Sequence, residues 1–410
     1  MTESLQRGWC PALSRPMPTG DGLLIRLLPT DRIPVLAFIA LCDAAHRYGN
    51  GTIEISARGS FQLRGFTDAS AAALARDVER LGVPASDDVP VLTDPLSEDP
   101  DALIDATKLA FELRAAIKRA RVSVAAKVCV VVDGGGQLHL DSVTADIRLR
   151  AIPTLKGLRL HLAVAGDAPS AIPLGSISPE SASEVVLHLL AIIAQHGPAA
   201  RARDCLSELA RAARDLGAEP CLLTSRPRAE PIGIHPLCNG RFALGLAPAF
   251  GHAPAEAFSE LARVAELNGA GALRPVLDRT LLLIDLGGAA IKQVAREAKA
   301  LGFVTRADDV RRRIIACPGS PACASGFIPA RTLAAEIAGR VPNVPGTIHI
   351  SGCAKGCAHP APAALTIVGT HQGCGILHHA SARGEPSRRV DLGNVIPEVI
   401  ALAAEERVHG

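Results

Sequence analysis

Apolar and polar positions along the chain fall into two matching runs. Residues 22–65 read as strand (GLLIRLLP), helix (IPVLAFIALCDAAHRYG), strand (TIEISARG) and strand (SFQLRG), with β-rich runs flanking a segment of helical periodicity. Residues 240–286 repeat that order with GRFALGLAP, PAEAFSELARVAELNG, ALRPVLD and RTLLLIDL. An amphipathic helix follows each run, over residues 68–81 and 287–301, and each stops at a glycine-containing loop, LGVP or LGF. The copies lie about 215–220 residues apart, too far for a short solenoid repeat, so the pattern predicts a duplicated α+β unit.

Between the copies, PLSEDPDALIDATKLAFELRAAIKRA carries apolar residues at helical spacing and predicts one or two helices. VSVAAKVCVVVDGGGQLHL reads as two β-rich runs joined by Asp-Gly-Gly-Gly, which predicts a hairpin. No G-x-G-x-x-G opens a helix there, so Gly134–Gly136 read as turn residues, not a dinucleotide loop. Residues 180–196 and 199–216 read as helices. The last block, from residue 308, predicts a helix over 330–340 and two strands, TIHISG and ALTIVG. The expected units are 1–85, 86–228, 229–304 (pairing with the first) and 305–410.

Length and composition narrow the function. The 410 residues are 48% hydrophobic with a mean hydropathy of +0.24, enough for a substantial core in two or three domains. No apolar stretch reaches the ~20 residues of a membrane span. The opening MTESLQRGWCP lacks the basic-then-apolar pattern of a signal peptide, so the expectation is a cytoplasmic protein with reduced thiols. A net charge of +2, with one Trp and one Tyr, leaves no nucleic-acid footprint. The basic residues are overwhelmingly Arg. That enrichment suits bidentate recognition of carboxylates, and a GC-rich genome would produce it equally well.

Four of the eleven cysteines stand apart: Cys317 and Cys323 in ACPGSPAC, Cys353 and Cys357 in SGCAKGCAHP, giving C-x5-C, a gap of 29 residues, then C-x3-C. Thiolates suit iron–sulfur clusters, and four of them satisfy one [4Fe–4S] cube. Gly/Pro-rich loops can turn backbone N–H groups toward a cluster's sulfides. Structural zinc sites space their pairs C-x2-4-C, so C-x5-C fits zinc poorly. The competing reading is four separate buried thiols.

The architecture and the cysteine motif resemble the sirohaem nitrite/sulfite reductase superfamily, most strongly at ISARGSFQLRG, AAKVCVVVDGGG and the two cysteine loops. Within it, SGCAKGCAHPAPAALTIVG, DPLSEDPDALIDATKLA and VDGGGQLHL…ADIRL are similar to the precorrin-3B synthase family of aerobic cobalamin biosynthesis. The implied fold is α+β and nitrite/sulfite reductase-like, with duplicated ferredoxin-like half-domains plus two α/β domains that bind the ring and the cluster. Reductases place K-x-K where this chain has Lys127-Val128-Cys129, usually have His at the position of Arg64, and tend to have Asn at that of Lys355. Losing the second lysine removes a cation that would hold a small oxyanion.

The resemblance implies a monooxygenase that converts precorrin-3A to precorrin-3B with O2 and NADH-derived electrons, hydroxylating C-20 and closing a γ-lactone. It implies a [4Fe–4S] cluster on Cys317, Cys323, Cys353 and Cys357, with Cys357 in the place of the thiolate that bridges to haem iron in reductases. It also implies a mononuclear non-haem iron and a partner reductase as electron donor. The macrocycle would occupy the place of sirohaem, with Arg26, Arg58 and Arg64 as carboxylate clamps, Gln62 adding a hydrogen bond and Lys127 a further cation. Arg274 and Arg279 are weaker counterparts in the second copy. The iron ligands stay unassigned, His349 and His359 included. The alternative is a sirohaem-dependent nitrite or sulfite reductase.

Overall fold

A computed structural model describes residues 11–341 and 346–409. Cys10 and the rest of MTESLQRGWC lie outside the described residues. Among the described residues the chain folds into four five-stranded sheets, each with helices on one face.

The two copies seen in the sequence form the first and third sheets. The first runs, in spatial order, Met17–Thr19, Gly22–Leu27, Phe61–Phe66, Thr52–Ile55 and His252–Pro254. The third runs Gly233–Pro236, Phe242–Leu246, Thr280–Leu286, Ala272–Val276 and Ile33–Pro34. The outer strand of each therefore comes from the other copy. Ile33–Pro34 pairs with Ala272–Leu273, and His252–Pro254 pairs with Thr52–Glu54, both antiparallel. Helices Val35–Tyr48, Asp68–Arg80, Ala255–Leu267 and Ile291–Ala300 follow the periodicity of the sequence. Thr67 caps the second of them by accepting the Ser70 N–H.

One core serves both copies. Phe38 meets Phe61 at 5.4 Å and Phe258 at 6.1 Å, and Phe258 meets Phe303 at 5.3 Å, all fully buried. Burying each such ring contributes about 1.5–3 kcal/mol.

The second sheet runs Ile172–Ile177, Gly157–Gly166, Ala145–Thr154, Val130–Asp133 and Val91–Thr93. Its apolar face, with Val130, Val132, Ile147, Leu149, Leu160 and Leu162, packs under helices Ala106–Ala120, Ala182–Gln195 and Leu206–Asp215. The opposite face alternates in Asp133, Arg148, Arg150 and His161, and these are covered as well.

The expected hairpin at Asp-Gly-Gly-Gly does not form. Val130–Asp133 pairs in parallel with Ala145–Thr154, and QLHL is loop. The backbone there has other partners: Gly134 N–H donates to Asp94 Oδ1 (3.0 Å) and Gln137 N–H to Asp99 Oδ2 (2.7 Å). Buried carboxylates satisfy donors that a second hairpin strand would otherwise take.

The fourth sheet runs Ile314–Ala316, Ile348–Ser351, Ala363–Thr370, Gly373–Ala380 and Arg388–Val390, the first three parallel. Helices Ala330–Arg340 and Val395–His409 flank it. Among the described residues no helix is long and apolar enough to cross a membrane.

Candidate functional site

The two cysteine pairs converge because of sheet topology. Ile314–Ala316 and Ile348–Ser351 are parallel neighbours, and both cysteine loops leave at their carboxyl ends, where open α/β sheets place ligands. Cys317 follows the first strand directly, and Cys353 follows the second after one glycine. Gly352 N–H donates to Cys317 Sγ at 3.0 Å. A Cβ on Gly352 would stand 3.0 Å from Gly319 Cα and 3.3 Å from Cys317 Sγ, so only glycine lets the two loops approach this closely. Phe327 N–H donates to Gly352 O (2.8 Å), and Lys355 Nζ donates to Ser325 Oγ (2.8 Å), binding one loop to the other.

Burial first, then the neighbouring cysteines, raises the Cys357 thiol. Burial likewise raises Cys317 against the lowering effect of Gly352 and Gly319 N–H donation, so metal binding here must displace thiol protons. A zinc tetrahedron would bring its thiolates within about 3.8 Å of one another. Among the described residues no three of these thiols lie within 4.8 Å of one another.

A cavity of about 620 Å³ lies where the polar face of the second sheet meets the second ferredoxin-like copy. That is a usual size for a small-molecule site. Six arginines line it (Arg58, Arg114, Arg150, Arg226, Arg228 and Arg274) against three aspartates, so the wall is net cationic. Some of these are already committed. Arg274 donates to Pro95 O (3.1 Å) and Thr93 Oγ1 (2.7 Å), and Arg114 donates to Val91 O (2.6 Å). Arg226 spans Asp133 and Asp141, and Arg228 pairs with Asp278 at 2.8 Å. Arg58 is exposed toward the cavity and has no ion pair among the described residues.

The turn Leu277–Arg279 joins cavity to cysteines. Asp278 N–H donates to Ala57 O (3.1 Å) beside Arg58, and Arg279 Nη2 donates to Ala358 O (2.9 Å) beside Cys357. Asp278 and Arg279 both adopt positive φ (55° and 61°) in the short turn between Val276 and Thr280. Arg279 bears that left-handed conformation without being glycine, and it delivers the guanidinium to the cysteine loop.

The sequence-derived candidates separate in space. Arg58 lines the cavity. Arg26 lines a second pocket of about 510 Å³ with Arg15, Lys118 and Arg121, and Leu28 borders both pockets. Gln62 sits half-buried opposite Arg26 in the first sheet, and Lys127 is exposed in the turn before Val128. Cys129 is buried, its thiol 3.6 Å from Thr144 O.

Arg64 is not a free clamp. Its guanidinium is 4% exposed, holds Asp21 through Nε–Oδ2 (3.0 Å) and Nη2–Oδ1 (3.1 Å), and donates to Ala322 O at 2.8 Å. It fastens the first cysteine loop to the first half-domain. Arg279 plays the matching part from the second.

Arg150, His161 and the Asp133 group escaped the sequence reading, whereas His349 and His359 stand in it without a role. His161 and Arg150 face the cavity from adjacent strands, directly opposite in register. His349 is fully buried with both ring nitrogens unpaired, 5.6 Å from the His359 ring, and burial foremost pushes its pKa down to about 4. Among the described residues Asp133, His139 and Asp141 form the one group of three possible metal donors. Arg226 already spans its two carboxylates and His139 Nε2 lies 2.8 Å from Pro227 O, so this group does not fit a mononuclear iron.

The nitrite/sulfite reductase ferredoxin-like half domain matches residues 15–81. The chain is 35% identical to a precorrin-3B synthase from Sinorhizobium sp over 418 residues, covering 99% of this chain and 91% of the relative. It is 23% identical to the ferredoxin–nitrite reductase of Synechococcus elongatus, covering 88% of this chain and 78% of the relative. Among solved structures, Mycobacterium tuberculosis NirA superposes with a TM-score of 0.73 at 19% identity, over 93% of this chain and 80% of that one, which shows the fold. An iron–sulfur cluster is what relatives of this kind imply, and the two glycine-spaced cysteine loops fit one. With the fold of the nitrite/sulfite reductases and full-length similarity to one branch of them, the chain belongs to the precorrin-3B synthase family.

Proposed function

We propose that this protein converts precorrin-3A to precorrin-3B, binding the macrocycle in the arginine-lined cavity. The reaction takes one O2, two electrons and two protons. One oxygen atom becomes the C-20 hydroxyl, the ring-A acetate closes a γ-lactone, and the other oxygen leaves as water. The observation that carries this reading is the net cationic cavity, joined by a single turn to the loop of Cys357.

A macrocycle bearing several carboxylates complements a wall of six arginines and three aspartates. Arg58, unpaired, is the first clamp; each charge-assisted bond it forms contributes about 1.5–3 kcal/mol. Arg226 and Arg228 also line the cavity, but Asp133, Asp141 and Asp278 already hold them, and pulling Arg226 away would strand buried carboxylates. Several such contacts fix which carbon faces the reacting oxygen. Cys317, Cys323, Cys353 and Cys357 would hold a [4Fe–4S] cluster, which when bound supplies one-electron transfer. A mononuclear non-haem iron, NADH-derived electrons through a partner reductase, and a cytoplasmic setting that keeps the thiols reduced complete the proposal.

The test is anaerobic reconstitution, followed by precorrin-3A, a reductant and labelled O2. Product mass should rise by one labelled oxygen atom, with roughly five irons per chain, four in the cube and one mononuclear. No mass gain with an intact cluster, or a stoichiometric sirohaem band, would overturn the synthase in favour of a reductase.

A further inference from the structure

We infer that Arg150 and His161 form a carboxylate-recognition subsite in the floor of the cavity, one that fixes the orientation of a polycarboxylate ring. The inference rests on the reading that this cavity takes the macrocycle. Both residues belong to the polar face of the second sheet. Arg150 stands on Ala145–Thr154, His161 on Gly157–Gly166, and the two are paired across the strands. Residues paired in this way project side by side on the same face. Both line the cavity.

His161 is 5% exposed and lines the cavity, and no side-chain hydrogen bond within the protein is seen for its ring among the described residues. Arg150 is also incomplete: Nη1 donates to Thr224 O at 3.1 Å, while its buried Nε has no partner. Its carboxylate neighbour, Asp141, stands 3.9 Å away and is taken by Arg226. The pair thus lines the cavity with polar groups that the protein's own acceptors engage only in part.

The state of the imidazole fits this role. Burial first, then the charges of Arg150 and Arg148, push its pKa down to about 4, so the ring is neutral and keeps one N–H and one lone pair. A neutral donor beside a guanidinium accepts a carboxylate without adding charge repulsion to an arginine-rich wall. A cationic ring would be repelled there, and a neutral ligand would leave the guanidinium unanswered.

The experiment uses the reconstituted protein under anaerobic conditions, with uroporphyrin, an octacarboxylate tetrapyrrole, and its methyl ester as fluorescent probes. His161→Phe keeps the ring shape and removes the hydrogen bond. His161→Gln restores a donor. His161→Phe and Arg150→Lys should each weaken binding of the acid about 10-fold. Ester binding and cluster absorbance should stay unchanged, and His161→Gln should recover most of the affinity. Equal loss of acid and ester would mark His161 as packing only and overturn the subsite, as would unchanged acid binding in both variants. Wild-type protein that ignores the acid overturns the macrocycle reading, and the subsite with it.

Discussion

Replacing Arg64 with Ala separates a structural strut from a substrate clamp. In the native protein Arg64 makes two charge-assisted bonds to Asp21 and one to Ala322 O, with Glu54 a further 3.6 Å away. Removing one member of a buried pair costs about 3–5 kcal/mol, because the remaining charge is stranded. Here the lower end applies. Glu54 keeps Arg331 at 2.6 Å, and the Asp21 side chain, 17% exposed, regains some water. We expect a loss of about 3 kcal/mol. Because Ala322 adjoins Cys323, iron and sulfide content should fall in parallel.

Acid titration adds a signature. Burial alone would raise the Asp21 carboxyl, but hydrogen bonds from Arg64 and Thr19 and the Arg64 charge bring it below its ordinary 3.8. A depressed carboxylate contributes stability that is fully present above its unfolded value and is lost as pH falls through the folded one. The gap between wild type and Arg64→Ala should therefore narrow below about pH 4. Arg64→Lys should recover only part, since an ammonium cannot span both oxygens of Asp21 and a carbonyl. Thermal melts, urea midpoints and iron analysis decide it. A variant with native stability and full iron, impaired only in binding the ring, would refute the strut.

Three further substitutions test other parts of the structure. Arg58→Ala should weaken binding of the polycarboxylate ring about 10–150-fold by fluorescence titration, leaving cluster absorbance intact; bleaching would make Arg58 structural. Gly352→Ala should cost about 1–3 kcal/mol by overpacking and lower the iron and sulfide content, since its Cβ meets Gly319 and Cys317; full iron loading would contradict the close-approach account. Phe258→Ala should cost about 3–5 kcal/mol and lower one cooperative transition. Two separated melts would deny that the copies share a core through Phe38 and Phe258.

Much of this was legible in the residues. Alternation and helical spacing exposed the duplicated unit because each element buries one face and leaves the other wet. Cysteine spacing implied joint ligation because the loops it occupies, ACPGSPAC and SGCAKGCAHP, cannot be regular structure. Local patterns failed where the deciding partner was remote. Asp-Gly-Gly-Gly has the chemistry of a hairpin, but Asp94 and Asp99 claim its backbone donors from about 40 residues upstream. Arg64 sits in a ligand-like motif, yet its partners are 43 residues before and 258 residues after it. His161 was hidden in LHLAVAG, an ordinary alternating strand. The signal was RLRAIP beside it, whose arginines stand on a sheet covered on both faces, where a solvated polar side would be expected.

The exchange of outer strands bears on ancestry. Neither ferredoxin-like copy closes its own sheet: Thr52–Ile55 is completed only by His252–Pro254, and Ala272–Val276 only by Ile33–Pro34. A gene encoding one copy would have met the same bare edge and could have covered it only with a second subunit, as a two-fold dimer. Such a dimer must present identical walls to whatever it holds. Within one polypeptide that constraint is absent, and the two halves differ. One now supplies Arg58 to the cavity and Arg64 to the first cysteine loop; the other supplies Arg274 to the cavity and Arg279 to the second. Two identical walls would offer an unsymmetrical ring two equivalent orientations, whereas the differing halves here offer one.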